Sequence, residues 1–132
     1  MKLIYPAIFK QEDIGYSVLV PDLIGCCTQG DTLEEAIQMA EDAALGWLLT
    51  ALEENEKVPE ASKINDIKLQ DKDEFVSLLL LDLSSYSEKY SSRKSVKKTL
   101  TIPFWLNERA ERLKINFSKT LQDALISKII RR

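Results

Sequence analysis

Three aspartates, Asp13, Asp22 and Asp31, fall beside predicted turns, and a metal-dependent nuclease would have to draw them together. Cleavage of that kind needs several acids converging on one cation, and no spacing in the chain gathers them. Asp22 follows Pro21, a pairing that reads first as a turn. The chain has no histidine, which removes the commonest general base and the commonest metal ligand. Cys26 and Cys27 are adjacent, poorly placed to bridge each other and without the spaced partners of a zinc site. Two reduced thiols are expected, as in a cytoplasmic protein. The stretch "GDTLEEA" at 30–36 opens a helix and lacks the glycines and lysine of a phosphate loop. No metal or cofactor is expected, and binding is a better expectation than catalysis.

The residues best suited to binding lie near the other end, in "VKKTLTIPFWL" at 96–106. In a strand, Val96, Leu100 and Ile102 fall on one face and Lys97, Thr99 and Thr101 on the other. Lys98 interrupts the apolar alternation and must reach out at the margin. Pro103 ends the strand and suits the first turn of a helix. The spacing predicts helices over 104–113, with Leu106, Ala110 and Leu113 inward, and over 119–130, with Ser118 as N-cap. Leu121, Ala124, Leu125 and Ile129 form the stripe of the second helix. One strand and two short helices bury too little apolar surface to stand alone. Two copies can pair their strands antiparallel over four helices, which predicts a homodimer.

A two-stranded ribbon fits the major groove of DNA. Lys97, Thr99 and Thr101 would then meet base edges, lysine donating to guanine and threonine bonding bases or touching thymine methyls. Lys98, Ser118, Lys119 and Thr120 are the candidate phosphate contacts, the last three at a helix N-terminus. A basic dimerisation module that never meets DNA is the plainer alternative.

The first part of the chain is organised differently. Residues 3–9 (LIYPAIF) and 16–21 (YSVLVP) predict a hairpin, and residues 22–31 hold a third strand between two glycines. Pro6 suggests an edge strand or a bulge. Thr32 and Glu35 form a capping box, after which Leu33, Ala36, Ile37, Ala40, Ala44, Trp47, Leu48 and Ala51 recur at helical spacing. Residues 75–83 (FVSLLLLDL) read as a buried strand. The predicted fold class is α+β: a β-β-β-α-β sheet with one packed helix, then a β-α-α module.

Charge divides the chain at the same place. Residues 1–83 hold 6 Lys/Arg against 17 Asp/Glu, a net of −11, and residues 84–132 hold 12 against 4, a net of +8. Between the two bodies, 84–95 (SSYSEKYSSRKS) is serine-rich and reads as a linker in which a short helical turn is allowed. The expected domains are therefore 1–83, a linker 84–95, and 96–132. A split of this size implies different partners for the two parts. The acidic body suits a basic protein, with charge speeding encounter. Glu34, Glu41, Glu53 and Glu54 on the helix are the candidate contacts, and the sheet edge is an equal candidate. No apolar run approaches the ~20 residues of a membrane span. The N-terminal apolar run ends in charge without a small-residue cleavage site, which predicts a mature cytoplasmic start.

"TLTIPFWLNERAERLKINFSKTLQDALISKI" resembles the ribbon-helix-helix repressors, and "VPDLIGCCTQGDTLEEA" with its flanks resembles the HicB antitoxin family. Together they span nearly all of the chain except the linker and residues 56–74. The resemblance implies an antitoxin of a type II toxin–antitoxin system. Its N-terminal domain would have a partial, degenerate RNase H-like fold that binds HicA, a small basic mRNA-cleaving toxin, by covering its active site or RNA surface. Its C-terminal domain would repress the toxin–antitoxin operon. No catalytic acids carry over. Two readings of other classes stand beside it: a repressor whose acidic domain senses a small molecule, and a weak metal-dependent nuclease built on Asp13, Asp22 and Asp31.

Overall fold

The computed structural model describes residues 2–131, so Met1 and Arg132, which end the two predicted domains, lie outside the described residues. Strand β1 is Lys2–Gln11, β2 Tyr16–Leu19, β3 Cys27–Gly30 and β4 Glu74–Asp82. Helix α1 is Leu33–Glu53, α2 Leu83–Tyr90, α3 Phe104–Arg112 and α4 Phe117–Ile130, with a single 3-10 turn at Ile64–Asp66. The strands form one antiparallel sheet in the order β3-β2-β1-β4. The predicted β-β-β-α-β order holds.

The core lies between one face of this sheet and α1. Tyr5, Ala7 and Phe9 of β1, Val18 of β2, and Leu79 and Leu81 of β4 are buried against Ala36, Ala40, Ala44 and Leu48. Three alanines at four-residue spacing let the helix axis lie close to the sheet. Thr32 caps α1, accepting from the Glu35 N–H at 3.1 Å. Leu33, predicted as core, is exposed on the first turn, and Leu49 takes a buried place that the predicted stripe left out. Trp47 sits at the helix margin and donates from Nε1 to the Ile24 carbonyl at 2.9 Å.

Pro6 does not mark an edge, because β1 is a central strand. The Gln11 N–H points to the β4 side, bonding the Asp73 carbonyl, so by alternation the position of Pro6 faces the β2 side. The β1–β2 ladder covers only Ile8 to Gln11. Proline's missing donor thus falls just past the end of β2, where no ladder bond is lost.

The connection from α1 to β4 is long and tied down at several points. Val58 is buried, the Tyr5 hydroxyl donates to the Pro59 carbonyl at 2.5 Å, and Asp22 takes both the N–H and the hydroxyl of Ser62. Burial, with help from the Asp22 charge, pushes the Tyr5 phenol up to about 12, so it stays a donor across the ordinary pH range.

The predicted linker is half helix. Residues 84–90 belong to α2, whose N-cap is Asp82, accepting from the Ser85 N–H at 3.2 Å and its hydroxyl at 3.0 Å. Tyr86 and Tyr90, one turn apart, pack with ring centroids 4.6 Å apart. Residues 93–103 carry no helix or strand, and they are exposed throughout.

Candidate functional site

The three aspartates do not meet. Asp22 is spent on Ser62, while Asp13 and Asp31 are exposed in separate turns. Among the described residues, no three His, Cys, Asp or Glu side chains come together as a metal site would require. Cys26 is buried and Cys27 exposed, both as free thiols, and burial followed by the neighbouring thiol pushes Cys26 above its ordinary range. Nothing in this arrangement assembles a nucleophile with a base.

The acidic candidates on α1 are distributed rather than gathered. Glu34 lies in the first turn and Glu53 and Glu54 at the last, so the two ends are separated by roughly 28 Å at 1.5 Å per residue. Glu34 and Glu54 are exposed and Glu41 is half-buried. Glu53 is engaged within the chain: its carboxylate accepts from the Ser92 hydroxyl at 2.6 Å, the Ser92 N–H at 2.8 Å and the Ser91 hydroxyl at 3.3 Å. The Ser92 hydroxyl and N–H hold its carboxyl below the usual range. Glu53 thus pins the chain just past α2 to the end of α1, which a charge count could not show.

Around the candidate DNA residues, Lys97, Lys98, Thr99 and Thr101 are all exposed on the extended segment. Val96 is 86% exposed and Leu100 58% exposed, so the apolar side of that segment has no cover within one chain. In α3, Ala110 is buried while Leu106 and Leu113 are exposed. In α4 the predicted stripe of Leu121, Ala124, Leu125 and Ile129 is also exposed, and Ile126 and Ile130 pack on the N-terminal core instead.

The start of α4 differs from the sequence reading. Its N-cap is Asn116, accepting from the Lys119 N–H at 3.0 Å, and the helix begins at Phe117. Ser118, the predicted cap, sits inside the first turn and accepts from Gln122 Nε2 at 3.2 Å. Asparagine caps as well as serine does, and the earlier start moves Lys119 from the first to the third helical position. Its Nζ lies 3.1 Å from the Ser85 hydroxyl and 3.7 Å from the Asp82 carboxylate. Thr120 stays exposed.

These contacts belong to a seam between α2 and α4. Ser84, fully buried, donates to the Asp123 carboxylate, and Gln122 Nε2 donates to Glu88 at 3.0 Å. Burial raises the Asp82 carboxyl, but the Ser85 N–H and hydroxyl and the Lys119 charge outweigh it and hold it below its ordinary range. The sequence signal for the seam was Ile126 and Ile130, spaced as one further turn of the face that carries Gln122 and Asp123.

Residues 5–125 match the HicB-like antitoxins of bacterial toxin–antitoxin systems. The chain is similar to one in a toxin–antitoxin complex from Streptococcus pneumoniae, at 31% identity and a TM-score of 0.62, covering 97% of this chain and 99% of that one. It shares its fold with the crystal structure of the Burkholderia pseudomallei antitoxin HicB, at 23% identity and a TM-score of 0.64 over 93% and 96% of the two chains. Antitoxin HicB 1 of Photorhabdus laumondii is 45% identical over 56 residues, which span 42% of this chain and only 36% of that antitoxin. The Burkholderia and Photorhabdus relatives are antitoxins. No described helix is long and apolar enough to cross a membrane. The chain belongs to the HicB-like antitoxin family of bacterial toxin–antitoxin systems.

Proposed function

We propose that the chain is a cytoplasmic antitoxin with two separate binding ends. Residues 1–83, with a partial RNase H-like fold, bind and cover a small basic HicA-like mRNA-cleaving toxin. Residues 96–132 form a ribbon-helix-helix module that dimerises and represses the chain's own operon. The observation that carries this reading is the charge split: −11 over residues 1–83 and +8 over 84–132. A basic toxin and a polyanion need opposite surfaces, and one chain offers both. The family match supplies the toxin as the class of partner.

The ribbon reading rests on the exposed segment at 96–102, whose apolar side lacks cover while its basic and threonine-rich side is free. Pairing with the same segment of a second chain would cover Val96, Leu100 and Ile102 and leave Lys97, Thr99 and Thr101 for base edges. Lys98, Ser118, Lys119 and Thr120 would meet phosphate, Lys119 by leaving Asp82 for the DNA backbone.

The test is binding of the full chain to DNA upstream of its own gene, at two salt concentrations with unrelated DNA as control. Replacing Lys97, Thr99 and Thr101 together by alanine is expected to lose about 3 kcal/mol or more of discrimination, at ~1–3 kcal/mol for each good base contact. Lys119→Ala is expected to weaken both DNAs about equally and to reduce the salt slope by about one. A wild type that prefers neither DNA would reduce the C-terminal module to a dimeriser.

A further inference from the structure

Between α1 and the turn that joins β2 to β3 the surface is hollow. The hollow measures about 390 Å3, and Gly25, Ala43, Gly46, Trp47, Thr50 and Glu56 are among the residues that line it. Backbone bonds hold both of its sides. On one side the Cys26 N–H donates to the Leu23 carbonyl at 2.9 Å and the Val20 N–H to the Cys26 carbonyl at 3.0 Å, with Gly25 left-handed at the bend. That turn presents the Ile24 carbonyl to Trp47 Nε1, which fixes the indole in place. On the other side α1 stops on Asn55, left-handed at a φ of +59°. There the Asn55 N–H donates to the Leu52 carbonyl at 3.2 Å and the Glu56 N–H to the Ala51 carbonyl at 2.8 Å. This pair of bonds closes a helix end and folds Glu56 back beside the last turn. Ala43 and Gly46 add almost no side chain, so the hollow admits a long, thin group.

The chemistry of the lining favours a cation. Glu56 is exposed, and among the described residues no hydrogen bond or ion pair engages its carboxylate. The last turn of α1 has no basic residue to offset the negative end of the helix dipole, and residues 1–83 carry a net −11. Tryptophan offers a cation the best aromatic face of any side chain. A guanidinium suits such a pair better than an ammonium does, because it is planar, stacks on a ring and bonds a carboxylate through two parallel N–H groups. We propose that this hollow is a socket for an arginine side chain of a basic protein partner. The Trp47 indole stacks on the guanidinium plane, and the Glu56 carboxylate accepts its N–H groups. The socket rests on the toxin reading of residues 1–83 and gives that reading a contact, Glu56, that lies just beyond the α1 carboxylates. Tryptophan and arginine are also the residues that most often carry the binding energy of a protein contact.

Two measurements on the full chain test this. In the first, N-acetyl-arginine amide and its neutral citrulline analogue are titrated into Trp105→Phe, which leaves Trp47 as the single indole of the two in the sequence. The arginine compound is expected to move the Trp47 indole N–H resonance saturably at millimolar concentration. The citrulline analogue is expected to leave it in place, as is the arginine compound once Glu56→Gln is added. Equal shifts with both compounds would make the hollow a site for uncharged small molecules and overturn the proposal, and no shift with either also overturns it. In the second, affinity for the cognate HicA-like toxin is expected to fall about tenfold or more in Glu56→Gln. Asp66→Asn removes the same charge from an exposed position elsewhere and is expected to cost less than about threefold. Equal losses in the two variants would show that only net charge matters and would overturn the socket. A wild type that binds no toxin defeats the toxin reading instead, because the arginine titration needs no toxin and still decides whether the socket exists.

Discussion

Replacing Gly30 by alanine is expected to destabilise the N-terminal domain by about 3 kcal/mol, the upper part of the range for overpacking a filled core. A Cβ on Gly30 would stand 2.4 Å from the Ala36 nitrogen, 2.7 Å from the Ala36 Cα and 2.8 Å from the Glu35 carbonyl carbon. All three are backbone atoms of the first turn of α1, so no flexible side chain can swing aside. Relief requires lifting the helix from the sheet, which would pull Ala36, Ala40 and Ala44 out of contact with it. Gly25 is the control. Its φ of +81° makes alanine strained, but nothing stands within 4 Å of the added carbon. Gly25→Ala is expected to cost about 1–2 kcal/mol through the backbone alone. Urea denaturation of both variants checks the order, and equal midpoints would show that the close approach of β3 and α1 is not a constraint on the fold.

The second large effect is expected at the ribbon. Leu100→Lys with Ile102→Lys should halve the mass of the assembly and abolish specific DNA binding, while leaving the fold of the single chain unchanged. Both residues are exposed within one chain, so they have little intrachain packing to lose. In a paired ribbon each would be covered, at about 1.5–3 kcal/mol per side chain for full burial, and the loss is counted in both chains. Four lysines facing one another add like-charge repulsion to that loss. Sedimentation and circular dichroism together read the outcome. A double variant of undiminished mass would show that the segment does not pair with its copy.

The N-terminal elements were legible because local pattern and final packing agree there. Two β-prone runs around a turn gave β1 and β2, and the Thr32 cap with alanine spacing gave α1 to within a residue at its start. Pro6 misled because its tolerance depends on where the neighbouring strand ends, which is a matter of register between strands. Helix α2 was hidden by its serines. Its stability comes from the Asp82 cap, the Tyr86–Tyr90 pair and the contact with α4, of which only the cap and the tyrosine spacing are local. The start of α4 was displaced by two residues because Asn116 and Ser118 are both competent caps, and packing chose the earlier.

The candidate sites were less legible for a related reason. Residue type marked Lys97, Thr99 and Thr101 as one face of a strand that does not form within the single chain, and Glu53 was counted as a surface charge when its carboxylate in fact holds Ser91 and Ser92. Lys119 was read as free, and it rests on Asp82 and Ser85. Charge counting sees composition and not the intrachain partner. Residues 75–83 were read as a buried strand, but Leu78 and Leu80 are more than half exposed, because an unbroken run of leucines does not tell which face α1 covers.

The central claim is that this chain neutralises a toxin by covering it. The most direct measurement is cleavage of a messenger RNA by the cognate HicA-like toxin, with the purified full chain titrated in. The account predicts that cleavage falls in proportion to added chain and stops at a fixed stoichiometry, and that Lys97/Thr99/Thr101→Ala inhibits as well as wild type. Cleavage that continues undiminished in the presence of excess folded chain would contradict it.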